Sequence, residues 1–450
     1  MPLAGKSFGA GMSLGIIGIG YVGLVSAVCF AEAGFDVVAV DRDAEKISSL
    51  VQGKIPIFEE GLPELLAKHT QSGRLRFSAG IGEAVRESRI IFLCVGTPSR
   101  NDGNADMSQV ESVVKDIVNT ADGYRLLVVK STVPVGTARW VRRVVNLYAK
   151  NRQVEIEVAS NPEFLREGIA VRDFLYPDRI VIGAESERAR QALLELYQGF
   201  DCPKLVTNLA TAETIKYAAN TFLATKISFI NLLADFCEAV GADVELVARG
   251  MGLDQRIGKE FLKAGAGFGG SCLPKDLRAF ICSAREHQVD SKLLESILEI
   301  NDSRPERLIG LLQKALWVIR GKQIAVMGLA FKPGTDDVRD TPAAKVIEKL
   351  KEEGAFIRAF DPVAVDNFQA AYPEISKDVA FYNRPEPCIQ DSHAMVVITA
   401  WPQIVQLDLA VVKESMNFPI IIDGRNIFQG DAVKELGFKY YPTGKPPAND

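Results

Sequence analysis

The chain has 450 residues, of which 47% are apolar and 24% are charged, a balance typical of a globular enzyme with two or three domains. Its formal net charge of −5 argues against bulk attraction to nucleic acid or to an anionic membrane. The sequence contains no run of about 18 apolar residues, so it predicts no membrane span. Seven scattered cysteines, without a C-x-x-C pair, and three separated histidines argue against a disulfide scaffold and a metal site. We therefore expect a cytoplasmic protein that holds no metal.

The start of the chain, residues 1–11, is Gly-rich and lacks the apolar core of a signal peptide, so Met12 is a candidate native start. A strand–turn–helix–strand pattern follows. Its parts are a buried strand over 14–19, the glycines of Gly18-x-Gly20-x-x-Gly23, a helix over 22–33 and a strand over 36–40 that ends at Asp41. Such a turn lets a pyrophosphate approach the helix N-terminus, and the acid accepts hydrogen bonds from the adenosine ribose. The pattern predicts dinucleotide binding.

Asp41 favours NAD, because its charge would repel the 2′-phosphate of NADP. Arg42 is the one feature that argues the other way. Lys46, in the next predicted helix, is either a further contact on the adenosine side or a solvated helix residue.

Two later strands, 90–95 and 126–130, end in hydroxyl-bearing turns at Thr97 and Thr132. Ligands bind along the carboxyl edge of such parallel sheets, so both threonines are candidate ligand contacts. Each is also a possible helix N-cap, and the two roles are compatible.

Another strand, 156–160, precedes a segment with two carboxylates, Glu163 and Glu167, four residues apart. On a helical turn they would share a face. A solvated helix start would also explain them, but their place after a strand end predicts that they belong to the site. Residues 178–183 predict one more strand.

A long helix is predicted over 211–240, with Lys216 and Asn220 pointing the same way. Its apolar residues run nearly all round, which predicts burial on several sides, between domains and against a second subunit. Taken alone, Lys216 is equally well read as a snorkelling lysine or as a cation of the site.

The segment 267–276 holds Cys272 after two glycines and before Lys275 and Asp276. A cysteine attacks a carbonyl when nearby cationic groups stabilise its thiolate. The alternative is a purely structural Gly-rich turn that carries a small buried residue.

A second α/β unit begins at 322. Its predicted strands are 322–327, 355–360 ending at Asp361, 395–399 and 420–423, with a helix over 341–353 after the loop 328–339. The G-x-G-x-x-G pattern is missing, so we expect a dinucleotide-type fold adapted to a different nucleotide. The tail, 443–450, is predicted to be disordered.

The predicted fold class is α/β, with two Rossmann-like doubly wound domains joined by a long central helix. The expected segments are an NAD-binding domain over 12–210, a central helix and dimerisation region with the cysteine loop over 211–315, and a Rossmann-like domain for a different nucleotide over 316–442.

Seven ordered motifs carry a family resemblance between Leu14 and about Gly430. They are Gly18-x-Gly20-x-x-Gly23, Ser131-Thr132-Val133-Pro134, Asn161-Pro162-Glu163-Phe164-Leu165-x-Glu167-Gly168, Lys216-x-x-x-Asn220, Arg256-Ile257-Gly258, Gly267-Phe268-Gly269-Gly270-Ser271-Cys272 and Phe331-Lys332. Together they resemble the UDP-glucose 6-dehydrogenases of the UDP-glucose/GDP-mannose dehydrogenase family. The resemblance implies oxidation of a sugar C6 alcohol to a carboxylate with two NAD, through a thiohemiacetal and a thioester on Cys272.

The resemblance also implies roles for individual residues. Lys216 would stabilise the oxyanion beside Asn220, Asp276 and Thr132 would hold water, and Glu163 would serve acid–base chemistry. The implied cofactor contacts are Gly18, Gly20, Tyr21, Val22, Gly23, Asp41, Lys46, Thr97, Thr132, Glu167 and Arg339. The implied substrate contacts are Glu163, Phe164, Leu165, Glu167, Lys216, Asn220, Arg256, Phe261, Lys263, Gly267, Phe268, Gly269, Phe331, Lys332 and Arg425.

Three alternatives stay open. GDP-mannose is the runner-up substrate, and relatives that act on N-acetylhexosamine nucleotides usually carry His where this chain has Ser271. A non-catalytic nucleotide-sugar binding protein would be expected to lack Cys272, Lys216 or Asp276, all of which are present. The expected partners are UDP-glucose and a second copy of the chain, with Arg256 reaching the partner's substrate.

Overall fold

The computed structural model describes residues 12–96, 106–150 and 152–447. It divides into two compact units, the first ending at Ala219 and the second beginning at Asn220. Each unit is built on its own largely parallel sheet, and the long helix passes from one into the other. The predicted fold class of two Rossmann-like units and a long central helix is confirmed.

The sheet of the first unit has eight strands in its described part, in the order β3-β2-β1-β4-β5-β6-β7-β8. They are β1 (Ser13–Ile17), β2 (Asp36–Val40), β3 (Leu75–Ser78), β4 (Ile90–Leu93), β5 (Gly123–Val129), β6 (Val154–Ser160), β7 (Ile180–Ala184) and β8 (Lys204–Thr207). Neighbours are parallel except for the antiparallel pair β6 and β7. The chain reverses its direction of progress between β1 and β4, the place where such sheets bind ligands.

The helices of the first unit connect these strands. They are α1 (Tyr21–Glu32), α2 (Ala44–Val51), α3 (Leu62–Gln71), α4 (Ile81–Glu87), α5 (Ser108–Thr120), α6 (Thr137–Ala149), α7 (Ala170–Leu175) and α8 (Glu187–Leu196). Successive strand residues point to opposite faces, so Ile16 and Phe92 enter one apolar core while Ile17 and Leu93 enter another. Both faces are therefore covered, as the continuous apolar strands require.

The second unit has six parallel strands in its described part, in the order β11-β10-β9-β12-β13-β14. They are β9 (Gln323–Met327), β10 (Phe356–Phe360), β11 (Val379–Tyr382), β12 (Ala394–Val397), β13 (Ile420–Asp423) and β14 (Lys439–Pro442). This order repeats that of the first six strands of the other sheet, and the direction reverses between β9 and β12.

The remaining helices begin with α9 (Leu209–Val240), which runs for 32 residues across the boundary of the two units. The others are α10 (Val244–Gly252), α11 (Leu273–Glu286), α12 (Lys292–Leu316), α13 (Pro342–Glu352), α14 (Val365–Ala371), α15 (Pro373–Ser376), α16 (Pro385–Ile389), α17 (Pro402–Val405), α18 (Leu409–Ser415) and α19 (Gly430–Glu435). None of the helices within the described ranges combines the length and apolar character needed to cross a lipid bilayer.

The long helix α9 is only partly buried in the single chain, and its burial against a second subunit stays a prediction. Its second-unit part leaves large apolar side chains in solvent, namely Phe222, Phe229, Leu232, Phe236 and Val240. Ala224, Ile230 and Ala234 on the same helix are buried. The helix therefore has one covered face and one uncovered apolar face in the single chain.

The predicted disorder of the tail is wrong at its start. The Thr443 backbone N–H donates to the Asn426 side chain at 2.8 Å, and the Gly444 N–H donates to Glu238 at 2.9 Å. A Cβ added to Gly444 would lie 2.5 Å from a methyl group of Val244, so this glycine is tightly packed. Contacts with distant parts of the second unit order a segment whose composition suggested disorder.

Candidate active site

The three glycines of Gly18-x-Gly20-x-x-Gly23 have different structural roles in the turn after β1. Gly18 has φ of 92°, and a Cβ on it would lie 2.7 Å from the backbone nitrogen of Val95. Gly23 packs so closely that a Cβ would meet the Gly18 carbonyl oxygen. A Cβ on Gly20, at the start of α1, would meet nothing within 4 Å. This leaves open space in front of a helix N-terminus that no side chain caps, which fits a pyrophosphate.

Asp41, at the end of β2, is fixed against this turn. Its carboxylate accepts the Ile19 backbone N–H at 2.9 Å and the ammonium of Lys46 at 3.0 Å. Burial alone would raise the pKa of Asp41, but these bonds and the Asp43 N–H outweigh it and hold the pKa below its usual value. The aspartate is thus ionised and positioned where a ribose is expected, and Lys46 lies beside it.

Glu59 is a buried residue of this region that the sequence interpretation missed. The Tyr21 hydroxyl, at the first position of α1, donates to its carboxylate. The backbone N–H of Gly168 lies 2.8 Å from the same carboxylate and 2.9 Å from the tyrosine oxygen. Burial, reinforced by Glu59, strongly raises the pKa of Tyr21. Glu59 thereby ties the glycine turn to the end of the segment 163–168.

Glu163 and Lys216 form an ion pair inside the first unit. The ammonium lies 2.9 Å from the carboxylate, and the two residues are 4% and 5% exposed. Thr132 donates to the same carboxylate at 3.4 Å. Burial would raise the pKa of Glu163, but Lys216 and the Leu165 N–H hold it below its usual value. The structure thus brings a buried cation, a carboxylate and a hydroxyl together in the first unit.

The segment that carries Glu163 and Glu167 is not the expected helical turn. Residues 161–166 are irregular, and α7 begins only at Ala170. The Glu163 carboxylate accepts the backbone N–H of Leu165 at 2.7 Å, a local bond that competes with a helix. Both glutamates are nevertheless buried.

Phe164, in the same segment, is half-buried and stacks under a cation. The Arg179 guanidinium lies 3.9 Å from the ring centroid. The Lys216 ammonium lies 5.4 Å from it. The ring therefore lies close to two positive groups.

Lys130 is a second buried cation that the sequence interpretation missed. It follows β5, is 5% exposed, and donates to the Asn161 side-chain oxygen at 3.1 Å. Tyr197 donates to the same oxygen at 2.6 Å. Burial lowers the pKa of Lys130, against the opposing influence of Cys94 and Glu163. A lysine that ends an otherwise apolar strand was the signal available in the sequence.

In the second unit, Cys272 stands at the N-cap position of α11 and is partly exposed. The N-terminus of a helix stabilises negative charge, which favours a thiolate there. The Ser271 hydroxyl lies 3.4 Å from the sulfur. Gly270 has φ of 83°, and its N–H donates to the Arg339 carbonyl at 2.8 Å. The glycines thus hold the cysteine loop on the loop that follows β9.

Asp276 lies one turn after Cys272 on α11 and is fully buried. It accepts the Asn220 side-chain N–H at 2.6 Å and the Lys275 ammonium at 2.7 Å. Asn220 and Asp276, which were assigned to different tasks, therefore lie in direct contact in the second unit. Lys216 precedes Asn220 by one turn of α9.

The loop 264–268 is buried and held by side chains from three directions. Asn301 of α12 accepts the Phe268 N–H at 2.7 Å and donates to its carbonyl at 3.1 Å. Asn231 of α9 accepts the Gly265 N–H at 2.8 Å. Arg425 donates to the Gly267 carbonyl at 3.3 Å, and burial lowers the pKa of this arginine to about 10. Asn231 and Asn301 were not predicted.

The other predicted substrate and cofactor contacts of the second unit are more exposed. Arg256 pairs with Asp254 at 2.6 Å, and 88% of its side chain is in solvent. Lys263 is exposed, and Phe261 has φ of 62°. The Lys332 ammonium lies 5.5 Å from the Phe331 ring, and Arg339 binds Asp337. In the first unit, Thr97 lies outside the described residues.

No group of three or more potential metal-binding side chains occurs in the part of the chain that the structure describes. The described groups are instead a glycine turn with an ionised aspartate, a buried Lys216–Glu163 pair, and a cysteine with Asp276 and Asn220. The residues of the turn fit a dinucleotide, and a thiol at a helix N-terminus fits chemistry at a carbonyl carbon.

Comparison with known proteins finds matches along most of the chain. Three models of the UDP-glucose/GDP-mannose dehydrogenase family match, namely the NAD binding domain over 12–201, the central domain over 210–303 and the UDP binding domain over 325–430. The UDP-glucose 6-dehydrogenase TuaD of Bacillus subtilis is 45% identical over 96% of this chain and 93% of its own length. A UDP-glucose 6-dehydrogenase of Rhizobium meliloti is also 45% identical, over 97% of this chain and all of its own.

Among solved structures, a UDP-glucose dehydrogenase from Pyrobaculum islandicum superposes with a TM-score of 0.89 at 39% identity, covering 97% of this chain and 98% of that one. The GDP-mannose dehydrogenase of a Pseudomonas reaches a TM-score of 0.53 at 31% identity, covering 93% and 97%. The family models, the full-length relatives and the site lead to one conclusion: this chain belongs to the UDP-glucose/GDP-mannose dehydrogenase family.

Proposed function

We propose that this protein is an NAD-dependent UDP-glucose 6-dehydrogenase that converts UDP-glucose to UDP-glucuronate. The observation that carries the proposal is 45% identity to UDP-glucose 6-dehydrogenases along nearly the full length of both chains. The higher identity to a solved UDP-glucose dehydrogenase than to a solved GDP-mannose dehydrogenase, 39% against 31%, favours the uridine nucleotide.

The first unit supplies the cofactor site. Gly18, Gly20 and Gly23 shape the turn, the N-terminal N–H groups of α1 at Tyr21 and Val22 face the pyrophosphate, and Asp41 receives the adenosine ribose. Further proposed cofactor contacts of the first unit are Lys46, Thr97, Thr132 and Glu167, and Arg339 of the second unit is proposed as one more. Bound by these residues, NAD would supply the hydride acceptor for each of the two oxidations.

Cys272 is the proposed nucleophile. The C6 alcohol loses a hydride and a proton to become an aldehyde, and the thiolate then adds to the aldehyde carbon. Protonation of the resulting oxygen gives a thiohemiacetal. Loss of a second hydride and a proton gives a thioester, and water then releases the carboxylate and the thiol. The position of Cys272 at the N-terminus of α11 supports its role, because that end of the helix stabilises a thiolate.

The buried polar residues are proposed to assist these steps. Lys216 stabilises the oxyanion with Asn220 beside it, since a buried ammonium acts strongly in a low dielectric. Asp276 and Thr132 hold the attacking water, and Glu163 takes its proton. The low pKa of Glu163 keeps it ionised and able to accept that proton.

The remaining predicted substrate contacts bind the sugar and the uridine diphosphate. Arg425 already bonds the Gly267 carbonyl, and the Lys332 ammonium lies close to Phe331, so both cations are near the segments proposed to hold the nucleotide. The proposed contacts are Glu163, Phe164, Leu165, Glu167, Arg256, Phe261, Lys263, Gly267, Phe268, Gly269, Phe331, Lys332 and Arg425. The division into 12–210, 211–315 and 316–442 remains part of this proposal.

We further propose a homodimer formed through α9. Phe222, Phe229 and Phe236 recur every seven residues on its exposed face, and each is at least 45% exposed in the single chain. An apolar stripe at this spacing fits a second helix. Arg256 is proposed to reach the substrate of the partner subunit, where its guanidinium offers several donors to hydroxyls or the new carboxylate.

The dimer proposal is tested with a heterodimer of an Arg256→Ala chain and a Lys216→Ala chain, purified through two different tags. One of its two sites would keep both residues, so activity should rise above that of either parent homodimer. A verified heterodimer without that gain would place Arg256 within its own subunit or outside the site.

The proposed location is the cytoplasm. The seven cysteines are scattered along the sequence without a C-x-x-C pair, which suits a reducing compartment. Fractionation of cells that express the tagged protein tests this assignment, and recovery from the secreted fraction would contradict it.

The reaction is tested by following NADH against a panel of UDP- and GDP-sugars, with product analysis by mass spectrometry. We expect UDP-glucose to be preferred, two NADH to form per sugar nucleotide, and UDP-glucuronate to accumulate. Formation of one NADH per substrate together with free aldehyde would refute the thioester route. A preference for GDP-mannose would make GDP-mannose the assigned substrate instead of UDP-glucose.

A further inference from the structure

Glu213 is a buried carboxylate of α9 that has no role in the function proposed above. It is 3% exposed and lies three residues before Lys216 on the same helix. Its two oxygens accept the backbone N–H groups of Gly136 and Ala138, each at 2.7 Å. Both bonds cross more than 70 residues of sequence.

These bonds cap α6 from outside the helix. Gly136, the N-cap residue, has φ of 97° and offers no side chain to the free N–H groups of the first turn. A carboxylate is the strongest acceptor for such groups and also complements the helix dipole. Glu213 therefore fixes the start of α6 to the helix that carries Lys216.

The loop held in this way is the one that contains Thr132. At its other end, the Ser131 hydroxyl donates to the Val95 carbonyl at 2.7 Å, just after β4. Thr132 thus lies between an anchor on the sheet and an anchor on α9. Its hydroxyl lies 3.4 Å from the Glu163 carboxylate, which Lys216 contacts at 2.9 Å.

We propose that Glu213 is a positioning residue that sets Thr132 relative to Lys216 and Glu163 for hydrolysis of the thioester. This inference rests on the proposed function, which assigns water handling to Thr132 and proton transfer to Glu163. A carboxylate with two separate N–H partners fixes both the distance and the orientation of the loop. Glutamine offers only one acceptor oxygen, and its NH2 group would face one of the two donors.

The effect should fall on the last step of the reaction. Both hydride transfers need the cofactor turn and Cys272, whereas the carboxylate of Glu213 bonds the start of α6 at Gly136 and Ala138. Thioester hydrolysis needs the water-handling groups in register, and a misplacement of about 1 Å costs up to roughly a hundredfold in rate. The Glu213→Gln variant should therefore form two NADH per site quickly and then stall.

The experiment compares wild type, Glu213→Gln and a matched control, Ser186→Ala. Ser186 caps α8 of the same unit by accepting the Ala189 N–H at 3.0 Å, so the control loses a comparable cap elsewhere. Rapid mixing measures the NADH burst and the steady rate, acid quench with intact-mass analysis measures the adduct on Cys272, and fluorescence titration measures NADH affinity.

We expect Glu213→Gln to keep the burst and the NADH affinity, lose about tenfold to a hundredfold in steady rate, and accumulate the adduct. Ser186→Ala should behave as wild type. In a Thr132→Val background, Glu213→Gln should cause little further loss, because both changes affect one group of residues.

A folded Glu213→Gln enzyme with a steady rate within about twofold of wild type would overturn the inference. So would a slower enzyme without adduct, or a fall in NADH affinity that accounts for the loss. If Glu213→Gln fails to fold, Glu213→Asp is judged by the same criteria, and failure of both would make Glu213 a folding residue only. Absence of NADH formation by wild type with UDP-glucose would instead remove the proposed function, and this inference with it.

Discussion

The two sheets have the same strand order and differ at the point where that order reverses. After β1 the chain turns at Gly18 with φ of 92°, and after β9 it turns at Gly328 with φ of 97°. Each glycine packs against the chain beyond the neighbouring strand, at Val95 in the first unit and at Thr399 in the second. The backbone therefore leaves the first strand of each sheet through the same kind of glycine turn.

The surroundings of the glycine turn differ between the two units. In the first unit the space at Gly20 is open, and Asp41 accepts only the Ile19 N–H from the turn itself. In the second unit Asp361 occupies the matching position after β10 and is 1% exposed. It accepts the N–H groups of Leu329 and Ala330 and the indole N–H of Trp401 at 2.9 Å.

The same fold position therefore serves two purposes. The first unit keeps its acid accessible for a ligand, whereas the second uses its acid to bind its own backbone and a tryptophan. The loop after β9 supports the cysteine loop instead, because a Cβ on Gly269 would lie 2.4 Å from the Asp340 carbonyl oxygen. Fold alone does not fix function at a switch point, and the groups placed there do.

The largest effect is expected for substitution of Cys272 in the second unit, which should remove activity without weakening binding at the cofactor site of the first unit. Cys272→Ala and Cys272→Ser should lose about 10³-fold or more in kcat, because a methyl group or an unactivated hydroxyl cannot replace the thiolate. Both variants should still bind NADH and UDP-glucose with wild-type affinity, as measured by fluorescence and calorimetry.

Chemical labelling provides the control for this assignment. Burial raises the pKa of Cys94 to about 12 and that of Cys29 well above its usual value, so neither should react. Iodoacetamide should modify Cys272 first, and bound substrate should protect it. Earlier labelling of Cys29, Cys94 or Cys237 would contradict the role given to Cys272.

The next prediction compares the two turns directly. Gly18→Ala and Gly328→Ala should each destabilise their unit by about 2–4 kcal/mol, because a Cβ meets backbone at positive φ. Only Gly18→Ala should also raise the KM for NAD. Thermal unfolding and NADH titration measure the two effects separately.

The outcome that would break the comparison is equally specific. Gly328→Ala with weakened NADH binding, beyond what unfolding explains, would mean that the second switch point also takes part in binding the cofactor. Unchanged NAD affinity in folded Gly18→Ala would remove the first turn from the cofactor site.

The sequence was sufficient for features that local patterns determine. Gly18, Gly20 and Gly23 follow a continuous apolar strand and precede a helix, and this order has few other structural solutions. The repeat of strand and helix from 322 onward likewise predicted the second sheet, because buried parallel strands read as unbroken apolar runs.

Other features depend on partners far away in the chain. Glu59 meets Gly168 across 109 residues, and Glu213 meets Gly136 across 77. No periodicity marks such pairs, so a buried glutamate looks like a surface one. The expected helical turn at Glu163 failed for a local reason, because its carboxylate bonds the Leu165 N–H and no helix forms there.

A smaller effect concerns cofactor choice at Asp41. We expect kcat/KM for NAD to exceed that for NADP by about tenfold or more, because an ionised aspartate repels a 2′-phosphate at short range. Asp41→Asn should reduce this ratio, whereas Asp361→Asn, at the matching position of the second unit, should leave it unchanged. Initial rates with both cofactors at several concentrations measure it.

Equal efficiency with NAD and NADP in the wild type would contradict this reading of Asp41. Arg42, an exposed neighbour, would then be the candidate partner of the phosphate. Loss of NADP activity in Arg42→Ala would establish that alternative.

The smallest effect is the pH dependence of stability that Asp41 contributes. Its pKa in the folded protein is below the unfolded value of about 3.9, so folding favours the ionised form. That contribution is fully present above the unfolded pKa and is lost as pH falls through the lower, folded pKa. Asp41→Asn should be less stable than wild type by on the order of 1 kcal/mol between about pH 5 and pH 8, after allowance for solvent screening of the Lys46 pair.

Below about pH 4 the difference in unfolding free energy between wild type and Asp41→Asn should shrink, because the wild-type carboxylate becomes protonated and no longer attracts Lys46. Urea unfolding of both proteins across this pH range measures the difference. Asp36→Asn is the matched control, since the Asp36 side chain is 60% exposed and its nearest cation, on Arg74, lies 4.0 Å away. A difference that grows on acidification, or one that Asp36→Asn reproduces, would mean that Asp41 is not held ionised by the turn, and the contrast with the fully enclosed Asp361 would lose its electrostatic basis.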